Sequence, residues 1–123
     1  MLLALALALS ISPVDDGYDV CMDRANTNQD FIACGTAMLE RRDAELNQVW
    51  KSAYGDLDGK TKEVLLGEQR AWLAYRDKSC LYWGAGAFGR EGQTVHFYTC
   101  RAAVIDARIA YLNELGDTGA EGE

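Results

Sequence analysis

The sequence predicts an all-α fold: a small disulfide-stapled bundle of three main helices with a short N-terminal helical lead-in. Three observations lead there. Apolar residues recur at three- and four-residue spacings in three long stretches, separated by short breaks at glycine and aspartate. After the single proline, Pro13, the chain is rich in Ala, Leu, Glu, Arg and Gln, the residues that favour helix. Four cysteines form an even set in a chain of 123 residues, a size suited to one domain.

The first stretch, MLLALALALSI, is an uncharged apolar run with the length of a signal-peptide core and too short to span a bilayer. Residues 1–12 are therefore expected to be a signal peptide, truncated at its start, since no basic segment precedes the run. The same Ala/Leu run also suits an N-terminal helix packed on the core.

Taken in order, Tyr18 to Ala25 is long enough for two helical turns and forms the lead-in. Thr27-Asn28-Gln29-Asp30 has the form of a helix N-terminus, and helical periodicity continues to about Tyr54. Ile32, Leu39, Leu46 and Trp50 share a stripe of this first long helix, and Asp43 lies within it. A carboxylate there needs a cation from a neighbouring helix.

Gly55, Asp58 and Gly59 break the pattern. A second helix is expected over 60–83, with Leu65, Gln69, Trp72, Arg76, Cys80 and Trp83 inside one stripe of roughly 80°. Gly84, Gly86 and Gly89 then open a flexible segment to about Gln93. The third helix is expected over 94–115, with Tyr98, Ala102, Ile105, Ile109 and Leu112 on one face and Arg101 and Arg108 within its wider arc. The domain thus spans 18–115, and residues 116–123 read as a disordered acidic tail.

In an antiparallel pair joined by the glycine segment, Cys80 comes level with Cys100, which leaves Cys21 to bridge Cys34. Zinc is the rival use of four cysteines, but the set has no Cys-x-x-Cys and His96 is the only histidine. No nucleophile, base and orienting group can be assembled around that histidine, so neither an enzyme nor a cofactor is expected. The polar residues Asp43, Gln69, Arg76 and Arg108 each sit on an inward stripe and read as a buried network that fixes helix register. Formal net charge is −7. That argues against a nucleic-acid or anionic-membrane surface and suits a basic protein partner.

A family pattern runs through the same residues. It comprises Cys21-x-x-x-Ala25-x-Thr27, Cys34, Asp43-Ala44-Glu45-Leu46-Asn47, Gln69-Arg70-Ala71-Trp72, Arg76-Asp77, Cys80, Glu91-Gly92-Gln93-Thr94, Cys100 and Arg108-x-x-x-Leu112. In this the chain resembles the lysozyme inhibitor LprI-like domain family. The resemblance implies an all-helical, non-enzymatic domain of the bacterial envelope, and a partner that is a basic lysozyme-type protein. Tyr18-Asp19-Val20 ahead of Cys21 is no lipobox, so the expected location is periplasmic or secreted, without stable membrane insertion. Two roles follow, a protein-binding inhibitor of lysozyme-type muramidases or an accessory envelope module with no hydrolase target. A small-molecule or metal binder built around the polar interior is a third. For the inhibitor, the expected contact is the segment 84–94, with Phe88 as apolar tip and Arg90 and Glu91 as polar contacts.

Overall fold

The computed structural model describes residues 17–121. Five helices follow one another: α1 (Tyr18–Arg24), α2 (Asn28–Gly55), α3 (Gly59–Lys78), α4 (Leu81–Ala85) and α5 (Gly89–Glu121). Among the described residues there is no strand. The three long helices are α2, α3 and α5, and α1 is the lead-in. The expected signal peptide lies outside the described residues.

Helix α2 starts where its sequence says it should. The Thr27 hydroxyl accepts from the Asp30 amide at 3.1 Å, and the Asp30 carboxylate accepts from the amides of Asn26 and Thr27 at 3.0 and 3.2 Å. Donors that the first helical turn leaves unpaired are thus satisfied reciprocally. The Asn26 amide, followed by that of Thr27, holds the Asp30 carboxyl below the ordinary aspartate range.

Cross-helix contacts fix the directions. The Thr94 hydroxyl donates to the Asn28 side chain at 2.7 Å, Thr36 meets Tyr98 at 3.3 Å, and Arg42 meets Asp106 at 3.1 Å. Both numbers rise together, so α2 and α5 run parallel. Gln69 pairs with Arg108 and Cys80 with Cys100, so α3 runs antiparallel to both. The bundle goes up, down and up, with α4 as a short turn before the last ascent.

The parallel pair is the close one. α5 packs along α2 over much of its length, whereas α3 approaches either helix at only a few points. Gly35 explains the difference, because the Tyr98 ring occupies the space its side chain would fill. Near this point Tyr18, Cys34, Met38 and Ala102 form one core cluster, with Cys21 packed against it. Farther along, Leu46, Leu65, Ile105, Ile109 and Leu112 form a second, flanked by Trp50 and Trp72. Burying each aliphatic side chain there contributes about 1.5–3 kcal/mol. Across the seam to α3, Gln69 and Trp72 of α3 meet Arg108 of α5.

Cys21 bridges Cys34 and Cys80 bridges Cys100, the expected pairing. Other expectations need correction. The second helix does not run through Trp83: α3 ends at Lys78, and Cys80 turns the chain with φ 71°, the one non-glycine residue with positive φ among those described. The segment 84–93 is not an open loop, since Gly84 belongs to α4 and α5 begins at Gly89, whose φ of 76° suits a residue without Cβ. Only residues 86–88 connect the two helices. The last helix starts five residues before Thr94 and runs on through Gly116 to Glu121, where a disordered tail was expected.

The polar network also differs. Gln69 and Arg108 are buried, but Asp43 is not, its side chain being 47% exposed. It does face Arg76, at 3.6 Å, yet Arg76 bonds its own neighbour Asp77 more closely, at 3.2 Å. The deeply buried charge is Arg42, 1% exposed, one residue and 100° around the helix from Asp43. Asp106 on α5 and Glu45, one turn along α2, lie 3.1 and 3.5 Å from its guanidinium.

Candidate protein-contact site

At the end of the bundle where α3 closes and α5 opens, the chain makes a tight reversal. The Arg101 guanidinium on α5 donates to the carbonyls of Ser79 and Asp77 at 3.0 and 3.4 Å, and the Ser79 hydroxyl donates to the Arg76 carbonyl at 2.8 Å. Carbonyls at the end of α3 are thereby satisfied from a second helix and from a side chain one turn on. Cys80 then reverses the chain in the left-handed region, at a cost of roughly 1–2 kcal/mol for a residue with a Cβ, and the bridge to Cys100 holds it there.

The five residues of α4 follow, ended by a bond from the Gln93 side chain to the Gly86 carbonyl at 2.7 Å. This short helix carries Leu81, Tyr82 and Trp83 in succession, so all three cannot face inward. Trp83 turns in, stacked on His96 with ring centres 4.5 Å apart, and Phe88 tilts against it at 4.8 Å. Tyr82 covers both, 5.3 Å from each, and is itself 69% exposed. Leu81 is 51% and Phe88 38% exposed. The result is an apolar, aromatic end on a disulfide-bridged base, with the Tyr, Trp and Phe side chains that are enriched in protein contacts.

Of the residues expected to make that contact, Phe88 belongs to this end. Arg90 and Glu91 lie in the first turn of α5, and their side chains are outside what the structure describes. The sequence reading missed Leu81, Tyr82 and His96 as members of this end, while Trp83, expected on an inward stripe, does turn in. The available signal was the run Leu81-Tyr82-Trp83 itself, three large apolar residues in a row, which no single helix face can bury.

The interior polar residues are occupied with one another. Gln69 Oε1 accepts from Arg108 Nε at 2.8 Å, and Glu68 accepts from Arg108 Nη1 at 2.9 Å. Trp72 lies beneath both Arg76 and Arg108, 5.7 and 5.8 Å from its ring centre, and Tyr111 covers Arg108 from the other side at 4.9 Å. Hydrogen bonding to Glu68 raises the Tyr111 phenol above its ordinary pKa. These contacts tie α3 to α5.

A shallow depression of about 470 Å³ lies between α1 and the start of α2, over Val20, Ala25, Ala33 and the Cys21–Cys34 bridge. Its acidic group, Asp30, already caps α2. Among the described residues no cluster of three or more His, Cys, Asp or Glu could hold a metal ion, and no helix is long and apolar enough to cross a membrane.

Comparison with known proteins fits this framework. Residues 21–112 match the family described as Lysozyme inhibitor LprI, a range that opens on the first bridged cysteine and closes on the buried Leu112. The chain is also 30% identical over 105 residues to Uncharacterized protein R02472 of Rhizobium meliloti (strain 1021), covering 75% of this chain and 76% of that one. No solved structure matches it. With both disulfides and the buried Gln69–Arg108 pair inside the matched range, the chain belongs to the Lysozyme inhibitor LprI family.

Proposed function

We propose that this protein is an extracytoplasmic inhibitor of lysozyme-type muramidases, and that it contacts the enzyme through the aromatic end formed by α4 and the start of α5. The observation that carries the reading is the exposure of Tyr82 and Phe88 on a disulfide-braced tip, in a chain of this family. Two disulfides fit an oxidising compartment outside the cytoplasm. An inhibitor of a polysaccharide hydrolase acts by blocking a cleft, and exposed aromatic side chains can fill such a concave surface.

Tyr82 and Phe88 would be the anchors, Trp83 and His96 the stack that holds them, and Arg90 and Glu91 the flanking polar contacts. Anchors of this kind contribute about 2 kcal/mol or more each, a factor of about 30 in affinity. The net charge of −7 would draw a basic enzyme at long range. Association should slow with added salt as the Debye length falls from about 30 to 8 Å.

The test is lysis of cell-wall suspensions by a panel of basic muramidases, with and without the purified domain. The parent should slow lysis, and a variant carrying Tyr82→Ser and Phe88→Ser, checked to melt like the parent, should not. Full inhibition by that variant would remove the aromatic end from the mechanism. Failure of the parent against the whole panel would favour the other role, an accessory envelope module without a hydrolase target.

A further inference from the structure

The two disulfides have different surroundings. Cys34 is 3% exposed and its bridge to Cys21 packs against the cluster of Tyr18, Met38 and Ala102, so a thiol's approach is confined to the Cys21 side, at the edge of the depression beside α1. The Cys80–Cys100 bridge belongs to neither core cluster, and both of its cysteines are partly exposed. It stands at the base of the aromatic end.

What that bridge holds is not stable by itself. A helix of five residues is far below the length at which isolated helices persist in water. Cys80 is in a backbone conformation that a residue with a Cβ avoids, and the bridge is the covalent tie that keeps it there. The remaining ties are noncovalent: the Arg101 bonds to Ser79 and Asp77, the Gln93 bond to Gly86, the Trp83–His96 stack, and the packing of Phe88 and Tyr82 on Trp83. The core of Leu46, Leu65, Ile105, Ile109 and Leu112 lies farther along the bundle and shares no residue with this assembly.

We propose that the Cys80–Cys100 bridge is a redox latch on the aromatic end: its reduction frees residues 79–88 and abolishes the contact surface while leaving the three-helix core folded. As a statement about control of the muramidase contact, this rests on the function proposed above. The reductant is a dithiol, small or protein-borne. Its thiolate attacks one sulfur of the bridge and expels the other as thiolate, and its second thiol then resolves the mixed disulfide. Two electrons pass to the protein, Cys80 and Cys100 become thiols, and the dithiol leaves as its own disulfide. Oxidation by a disulfide donor reverses the exchange and closes the latch.

The experiment reduces the full chain under native conditions with graded dithiothreitol, traps thiols with N-ethylmaleimide, and maps the labelled cysteines. Cys80 and Cys100 should be labelled at least about tenfold faster than Cys21 and Cys34, the ratio given by ~1.4 kcal/mol of difference in opening. Peptide-resolved hydrogen exchange should then show lost protection confined to about 79–93, with helical ellipticity nearly kept. A Cys80→Ser/Cys100→Ser variant should reproduce that pattern, and Cys21→Ser/Cys34→Ser should not. Simultaneous opening of both bridges, protection unchanged after selective opening, or a Cys80→Ser/Cys100→Ser variant that fails to fold would each overturn the latch. Where the oxidised chain inhibits a muramidase, the selectively opened chain, freed of reductant, should lose inhibition and regain it on oxidation with oxidised glutathione. Equal inhibition by the opened chain would overturn control of the contact. Where the oxidised chain inhibits none, the functional reading fails while labelling and exchange still decide whether the latch exists.

Discussion

Replacing Asp106 with alanine should destabilise the bundle far more than replacing the arginine it serves. Arg42 is 1% exposed and its Nε lies 3.1 Å from Asp106 Oδ1, across the α2–α5 seam. Removing one partner of a buried pair leaves a charge in a poor solvent, and such changes cost about 3–5 kcal/mol. Two features reduce that figure here. The Asp106 side chain is 26% exposed, so water can reach part of the gap, and Glu45 remains 3.5 Å from Arg42. A loss of about 2–3 kcal/mol is expected for Asp106→Ala, scaled down from the range for fully buried pairs. For a domain of this size that lowers the melting temperature by about 10–15 °C. Arg42→Met keeps much of the buried stem and removes the buried charge, and the Asp106 it leaves behind is 26% exposed and can be hydrated, so its cost should stay within about 1 kcal/mol. The Arg42→Met/Asp106→Ala double variant should therefore be more stable than Asp106→Ala alone. Urea denaturation of all four proteins, with slopes checked for constancy, closes the cycle. The reasoning fails if Asp106→Ala melts with the parent, or if the double variant is no better than Asp106→Ala.

Other variants probe separate parts of the fold. Gly35→Ala puts a methyl group where the Tyr98 ring lies, so α2 and α5 must part; the expected cost is about 1–3 kcal/mol by thermal melting, and Tyr98→Ala in the same chain should recover part of it. Asp43→Ala removes a half-exposed partner of Arg76, so it should cost less than about 1 kcal/mol, and a larger loss would mean that Asp43 is part of the buried network. Asp30 has a folded-state acidity stronger than its unfolded one, so its contribution is present above the ordinary aspartate range and is lost as pH falls through the lowered folded value. Asp30→Asn should thus be less stable than the parent at neutral pH, with the gap closing in acid; a gap that stays constant with pH would show that the carboxylate charge plays no part.

The residues that the sequence placed well are those whose position depends on period alone. Gln69, Ile105, Ile109 and Leu112 are buried as their helical phase requires, and Arg108 reaches Gln69 because both stripes face the same seam. The error at Asp43 has the same origin. Its spacing fits the apolar stripe nearly as well as that of Arg42, and one residue of phase separates a buried charge from a half-exposed one. What decides between them is α5: Gly35 admits Tyr98 and draws the parallel pair together, so the face of α2 carrying Gly35, Met38 and Arg42 turns inward. No pattern within α2 announces that partner. The break at Cys80 was hidden for a similar reason. Ser79-Cys80 has no glycine or proline to stop a helix, and the stop comes from Arg101 and Cys100, both on α5. Glycines at 84, 86 and 89 suggested a loop where two helices nearly meet, because Gly84 sits inside α4 while Gly89 serves the turn into α5. Local chemistry therefore sets where helices can form, while contacts from α5 set where α3 stops and which face of α2 is covered. The aromatic end is the product of that second kind of constraint: Tyr82 and Phe88 are outside because the bridge and the Arg101 cap turn the chain before the α3 stripe can continue and bury Trp83 along the bundle.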